Sequence, residues 1–187
     1  MIEIRHSEIS DSYTTRDAYN DIFIRKGILH KDSLYLWLIK LLNPEQGKAL
    51  LDIACGEGRL VTLAEQKGIR AMGTDFAING VLKGKKGSTT SGWFVADGER
   101  LPLKDNAFDY ITHIGSLEHY NDPIQGAKEI SRILKYNGKA CILLPNTFGL
   151  LGNVLFALRT GDIYDDGQPL QRYATRKTWE KMLNDSG

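Results

Sequence analysis

Three carboxylates and two glycines in the first hundred residues have the types and spacing of a small-molecule site. An apolar, strand-like run contains Asp52 and ends at Gly56 and Gly58, after which a helical pattern begins. Asp75 and Asp97 follow two later apolar runs. Glycines let the backbone approach a ligand, a helix N-terminus presents free N–H groups, and carboxylates accept hydrogen bonds from hydroxyl and amino groups. The pattern predicts one polar binding site built from several strand ends.

Hydrophobic periodicity predicts the elements that position these residues. Two helices, Tyr13–Lys26 and Asp32–Leu42, come first, and Asp32 is the expected N-cap. The strands that follow are Lys48–Ala54, Ile69–Asp75, Trp93–Ala96, Phe108–Ile114 and Lys139–Leu144, and the helices between them are Arg59–Lys67, Ala77–Lys86 and Pro123–Leu134. Such alternation predicts an α/β, Rossmann-like, doubly wound and mostly parallel sheet, which binds ligands at the carboxyl ends of its strands.

Composition narrows the possible classes. The 187 residues predict one domain, and 42% hydrophobic with 25% charged residues is typical of globular proteins. The net charge of +1 disfavours a nucleic-acid partner. Two cysteines form neither a disulfide framework nor a four-ligand zinc site, so no metal is expected. No apolar run has the length of a transmembrane segment or signal peptide, which predicts a cytoplasmic protein. Oligomeric state stays open.

The glycine turn admits two interpretations. A dinucleotide fingerprint requires G-x-G-x-x-G, and the third glycine position holds Val61. Asp52, four residues before Gly56, also suits an amine-bearing cation better than a pyrophosphate. An NAD-dependent oxidoreductase is therefore the weaker alternative.

Successive motifs resemble those of the class I S-adenosylmethionine (SAM) dependent methyltransferases, and most closely the type 11 group of small-molecule enzymes. The similar segments lie in order between about residues 46 and 146: Leu50–Gly58, Gly73–Phe76, Ala96–Leu103, Phe108–Asp109, Ser116–His119 and Gly138–Pro145. The resemblance implies methyl transfer from SAM to a small-molecule acceptor, with S-adenosylhomocysteine (SAH) as product. The acceptor atom (oxygen, nitrogen or carbon) stays open. A protein of this fold that binds SAM without turnover is the alternative.

The resemblance also assigns roles to residues of this chain. Asp52, Ala54, Gly56 and Gly58 would hold the methionine part of SAM, and Asp75 its ribose. Phe76 would pack on the adenine, with Asp97, Gly98 and Glu99 around it, and Gly115 and Ser116 would approach the sulfonium. His119 is the first candidate for a catalytic base, since histidine titrates near neutral pH. The opposing interpretation is that His119 only braces its loop.

Two flanking regions complete the predicted domain of residues 1–187. Residues 1–45 would hold cap helices above the core of residues 46–146, after a loosely held stretch of residues 1–12. The aromatic residues of this region are candidates to line a substrate site: Tyr13, Tyr19, Phe23, Tyr35 and Trp37. For Phe23 and Trp37, packing of the helices onto the domain is expected instead.

Residues 147–187 are predicted to form an inserted helix and a C-terminal segment. Phe148, Leu151, Leu155 and Leu158 share one helical face, which predicts a helix that caps the cleft. The alternative is contact with an apolar or lipid-linked substrate or with a membrane surface. The family's last two strands have no counterpart before Gly187, so the chain is expected to be truncated.

Overall fold

The computed structural model describes residues 1–6, 12–88 and 92–187, apart from the side chains of residues 12–14, 150 and 151. The elements in these ranges are β1 (Ile2–Arg5), α1 (Ser12–Arg25), α2 (Asp32–Leu42), β2 (Ala49–Ile53), α3 (Arg59–Glu65), β3 (Arg70–Asp75), α4 (Ile78–Lys86), β4 (Gly92–Val95), β5 (Phe108–Ile114), α5 (Pro123–Ile133), β6 (Leu134–Leu143), α6 (Leu155–Thr160), β7 (Leu170–Tyr173) and α7 (Arg176–Asp185). A 3-10 turn covers Leu117–His119, and a π-helical turn covers Leu150–Val154.

Five strands form one parallel sheet in the order β4-β3-β2-β5-β6. This confirms the predicted doubly wound class, and within the described residues the sheet ends at β6. That last strand is longer than predicted, because it starts at Leu134 and not at Lys139. Leu134 lies opposite Phe108 and Lys139 opposite Tyr110, so the pairing contains a bulge. Gly138 was interpreted as a turn before the strand, and for this reason the strand was predicted to start only at Lys139.

Apolar side chains on both faces of the sheet explain its burial. Every residue of β2 is buried, as expected for a central parallel strand. Leu50 belongs to the core on the α2 and α3 side, together with Val61. Leu51, the next residue, belongs to the opposite core with Ile111 and Ile133. The period of two along a strand therefore supplies both layers from one short segment.

A second sheet, absent from the sequence prediction, pairs β1 with β7 in antiparallel register. The expectation of a loosely held N-terminus is wrong for Ile2–Arg5, since Glu3 lies opposite Arg172 and the two side chains form an ion pair of 2.9 Å. The partners are separated by most of the chain, so no local pattern reveals the pairing. Residues 7–11 of the same predicted stretch lie outside the described residues.

The helices α2 and α7 differ in how their N-termini are capped. Thr175 is the N-cap of α7, and its hydroxyl accepts from the backbone N–H of Thr178 at 3.2 Å. The prediction of Asp32 as N-cap is wrong, because Lys31 occupies that position and the Asp32 carboxylate instead binds the Arg59 guanidinium at 2.7 Å. Long-range ion pairing thus replaced the local capping bond.

Candidate functional site

A cavity lies at the carboxyl ends of the parallel strands. Its walls come from the glycine turn, from the ends of β3, β4 and β5, and from α1 and the segment leading to α2. Of the predicted cofactor residues, the lining includes Asp52, Ala54, Gly56, Asp75, Phe76, Asp97, Gly98, Glu99, Gly115 and Ser116, and His119 lines it too. Residues far apart in sequence are brought to one edge of the sheet, as the fold class requires.

The glycine turn holds three residues in the left-handed backbone region. Ala54 (φ 53°), Gly56 (φ 53°) and Gly58 (φ 64°) reverse the chain between β2 and α3. Such a conformation is uncommon for alanine and is characteristic of functional turns. Gly58 does not line the cavity, and a side chain there would overlap the Trp93 ring. Its observed contact is therefore close packing against Trp93, on the far side of the turn from the cavity.

Two buried carboxyls lie at the floor of the cavity. Asp52 accepts from the Thr112 hydroxyl at 2.6 Å, since β2 and β5 place these residues side by side. Burial raises the pKa of Asp52 to about 7, and the Thr112 hydrogen bond opposes this only in part. Burial likewise raises the pKa of Asp75 to about 6, although Gly56 and Ala77 each donate a backbone N–H to it at 2.8 Å. Both carboxyls are poised to ionise beside a cation.

The segment after β4 forms a more open wall. Asp97 is exposed, and one of its oxygens accepts from the backbone N–H of Glu99 at 2.9 Å. Glu99 in turn accepts from the Asp122 N–H at 3.1 Å, at the N-terminus of α5. A side chain at Gly98 would overlap the Tyr120 ring. The sequence therefore keeps both the backbone and one carboxylate of this turn accessible from the cavity.

The loop after β5 carries the candidate base. His119 is buried, and burial lowers its pKa below the ordinary value of 6.5. Its Nδ1 bonds the Leu170 carbonyl of β7, and because a carbonyl oxygen only accepts, Nδ1 carries the proton. Nε2 is then the basic nitrogen, with Glu118 Oε1 at 3.8 Å. Burial raises the pKa of Glu118 to about 8, so at neutral pH this neighbour is mostly uncharged.

Aromatic side chains from α1 and α2 close the cavity opposite the carboxyls. Tyr19, Phe23 and Tyr35 line it, together with His30. Trp37 does not pack as predicted, since its side chain is 55% exposed on the outer face of α2. The side chain of Tyr13, another candidate, lies outside the described residues.

Tyr120, Asn121 and Gln168 are among the lining residues that sequence reasoning missed. Tyr120 and Asn121 directly follow His119, and Gln168 lies in the segment before β7. Gln168 accepts from the Tyr19 hydroxyl at 2.8 Å, so it joins the C-terminal segment to α1 across the cavity. Tyr120 lies beside His113, with its hydroxyl 2.9 Å from the ring Nε2. Tyr120 and Asn121 were both within two residues of the recognised Ser116–His119 motif.

The segment that was predicted to cap the cleft does not border the cavity. No described residue of 146–158 lines the cavity, and α6 instead presents Leu158 to solvent. The prediction that this segment caps the cleft is therefore wrong; the side chain of Leu151 lies outside the described residues. The element that covers the His119 loop is the β1–β7 sheet, which periodicity could not place.

Arg172 of β7 fastens this loop to the second sheet. The buried guanidinium donates to the carbonyls of Glu118 and Asn121 at 3.3 Å and to that of Tyr120. An Arg172→Lys substitution retains the charge but cannot reach three carbonyls, so we expect unfolding to become easier by about 2 kcal/mol. Chemical denaturation measures this change. Arg176→Lys, on the exposed face of α7, should change stability by less than about 0.5 kcal/mol; equal effects would contradict the role of Arg172.

The fold and the arrangement of strand-end carboxyls are those of a class I methyltransferase domain, and comparison with known proteins agrees. Residues 51–142 match the family model described as "Methyltransferase domain". A SAM-dependent methyltransferase structure from Thermotoga maritima superposes with a TM-score of 0.65 at 22% identity, covering 82% of this chain and 69% of the other. Residues 51–142 therefore carry a methyltransferase domain, and the fold is that of the class I SAM-dependent methyltransferases.

Curated relatives include quinone-modifying enzymes. The chain is 31% identical to the demethylmenaquinone methyltransferase of Corynebacterium kroppenstedtii over 55% of this chain and 44% of the relative. It is 33% identical to the 2-phytyl-1,4-naphtoquinone methyltransferase of Nostoc sp. over 56% of this chain and 50% of the relative. The chain spans about half the length of the curated relatives it matches.

Two kinds of feature are absent from the described residues. In residues 1–6, 12–88 and 92–187, no helix combines the length and apolarity needed to cross a membrane. In the same residues, no group of three or more His, Cys, Asp or Glu side chains is placed to hold a metal ion.

Proposed function

We propose that this chain transfers a methyl group from SAM to a small, apolar, hydroxyl-bearing aromatic acceptor of the quinol class. The observation that carries the proposal is the charge of the cavity. Asp52, Asp75, Asp97 and Glu99 line it, whereas none of the described lining residues is Lys or Arg. Such a wall favours a cation with amino and hydroxyl groups over a dinucleotide with a negative pyrophosphate. A cytoplasmic location and a small-molecule partner, with no nucleic acid, are parts of the same proposal.

The chemistry of the lining residues supports SAM as the cofactor. Each Asp75 oxygen already accepts one backbone N–H and can accept one more bond, which suits the two ribose hydroxyls. Asp52 and the Gly56 turn would hold the amino-acid end, and Phe76 with the Asp97–Glu99 turn would hold the adenine. Gly115, at φ 62° and without a side chain, would leave room for the sulfonium beside Ser116. Bound SAM supplies an activated methyl group, so positioning accounts for much of the catalysis.

The acceptor would occupy the aromatic half of the cavity. Tyr19, Phe23 and Tyr35 offer ring faces for a flat molecule, and Ile28 adds an aliphatic edge. His119 Nε2 would accept the proton of the acceptor hydroxyl, which would leave an anion able to attack the methyl group that bound SAM supplies, with SAH as the leaving group. The quinone-type names of the curated relatives support this acceptor class.

Calorimetric titration with SAM, SAH and NADH tests the cofactor assignment. We expect micromolar binding of the two adenosyl ligands and none of NADH. Asp97→Ala should weaken adenosyl binding by about tenfold, because a hydrogen bond to a charged group is lost. Asp105→Ala is the matched control, since Asp105 is exposed and pairs with Arg132 outside the cavity. Binding of NADH but not SAH by the folded protein would refute the proposal.

Turnover separates an enzyme from a binding protein. We expect the chain, or a longer protein that contains it, to release SAH when SAM is supplied with a dihydroxynaphthalene panel. SAH binding without SAH release on any phenol, quinol or amine acceptor would favour the binding-only alternative.

A further inference from the structure

A second apolar surface adjoins the cavity, and of its residues Ile28 alone takes part in the site described above. It is formed by the end of α1, the connection to α2 and the outer face of α2. We call it the docking face; its apolar members are Ile24, Ile28, Leu29, Leu36, Trp37 and Leu41, and its basic members are Arg25, Lys26, Lys31 and Lys40. The apolar side chains are between 37% and 64% exposed.

The helical geometry of α2 shows that this exposure is patterned. Buried residues of α2 are Tyr35, Leu38, Ile39 and Leu42, which pack toward α3 and the sheet. Leu36, Trp37, Lys40 and Leu41 lie on the opposite side, at the spacing of one helical face. A helix that is apolar on both faces while one face remains in water needs a second partner.

Charge identifies that partner. Lys26 and Lys31 flank Ile28 and Leu29, and within the described part of the chain no carboxylate is placed in an ion pair with either lysine. Arg25 has only a loose pair with Asp21, at 3.9 Å between exposed side chains. A tryptophan and aliphatic side chains set among basic residues match the interface of an anionic bilayer, where rings sit at headgroup level and cations meet phosphates.

The exposed apolar patch around α6 lacks this charge. Phe148, Leu158 and Ile163 are also exposed, but acidic residues Asp162, Asp165 and Asp166 accompany them against one cation, Arg159. An anionic surface would repel that patch, so charge distinguishes two surfaces of similar apolarity.

We propose that the docking face binds anionic lipid bilayers and so presents the cavity mouth to the membrane. Ile28 belongs both to the docking face and to the cavity wall, and His30 lines the cavity next to Leu29. An apolar acceptor dissolved in the bilayer would then enter without crossing bulk water. The docking itself goes beyond the proposed function and does not depend on it; only this consequence for acceptor entry rests on it.

Vesicle binding tests the docking face. Co-sedimentation with phosphatidylcholine vesicles should be strong when phosphatidylglycerol is included, weak without it, and weakened by salt. Lys26→Gln/Lys31→Gln and, separately, Leu29→Ser/Leu41→Ser should each reduce partitioning by about tenfold or more. Leu158→Ser is the matched control and should leave partitioning unchanged. Trp37 fluorescence reports the contact directly, because Trp179 is buried and Trp93 half-buried, and brominated lipid should quench it.

Three results would overturn the proposal. These are no binding to anionic vesicles, an equal loss in Leu158→Ser, or a concentration-dependent dimer that the Leu29→Ser/Leu41→Ser change abolishes, since a dimer would mean that a second copy covers the face. SAH titration of the same samples keeps the two proposals separate. If a sample binds SAH but not anionic vesicles, the docking proposal fails and the cofactor site stands. If it binds vesicles but not SAH, the cofactor assignment fails and the docking proposal stands.

Discussion

Asp52→Asn should weaken SAM and SAH binding by about 100-fold while making the cofactor-free protein more stable. The loss follows from removing a buried carboxylate that would bind the cofactor's amino group, and a charged hydrogen bond of this kind is worth about 1.5–3 kcal/mol. The gain follows from burial, which raises the pKa of Asp52 to about 7. The Asn side chain can still accept from the Thr112 hydroxyl.

The pH dependence of this stability has a definite sign. A carboxyl whose pKa is raised in the folded state contributes its stability below the unfolded pKa of about 4, and that contribution is lost as the pH rises through about 7. Asn does not ionise, so the stability of Asp52→Asn relative to the wild type should grow by about 4 kcal/mol between those pH values and then level off. Denaturant unfolding across this window measures it. A stability difference that is constant with pH would contradict the raised pKa.

Proton release provides a second test at the same residue. A bound cation favours the ionised carboxyl, so SAM binding near pH 6 should release protons from Asp52 and from Asp75, whose pKa is raised to about 6. Calorimetry in buffers of different ionisation enthalpy detects this release. Asp105→Asn, outside the cavity, should behave as the wild type in all three measurements.

The core of the fold was predictable because its signals are local. Central strands such as β2 are apolar throughout, the glycine turn breaks the pattern, and Asp75 and Asp97 follow apolar runs directly. A parallel sheet then brings these strand ends together by topology, without knowledge of any side-chain contact. Most of the cavity's polar wall therefore follows from sequence order alone.

The second sheet and the far wall of the cavity were not predictable in this way. β1 pairs with β7 from the opposite end of the chain, and Gln168 meets Tyr19 only because of that closure. Neither segment has a periodic pattern long enough to indicate a partner. Gly58 shows that a motif can also suggest too much. Its position in the glycine motif suggested a contact with the ligand, whereas in the structure Gly58 packs closely against Trp93.

His119→Asn should lower the methyl-transfer kcat by about 100-fold or more, with SAH affinity changed less than about twofold. The asparagine amide can replace Nδ1–H as donor to the Leu170 carbonyl, so the loop keeps its attachment to β7, but the basic Nε2 is lost. Burial holds the pKa of His119 below 6.5, so the imidazole stays neutral and able to accept a proton between pH 7 and pH 6.5. The wild-type rate should therefore stay level over that interval. Steady-state kinetics on a reactive quinol measures both.

A comparison with His30 decides between the two roles proposed for His119. His30 also lines the cavity, and its Nε2 lies 4.0 Å from where a Gly115 side chain would begin, so it is the competing base. If His119 only braces its loop, His119→Asn should keep its activity and His119→Ala should lose stability. If His119 is the base, both variants should lose turnover, although His119→Asn stays folded. His30→Asn should then reduce kcat by about tenfold at most. A larger loss there, with His119→Asn still active, would transfer the proton-accepting role to His30.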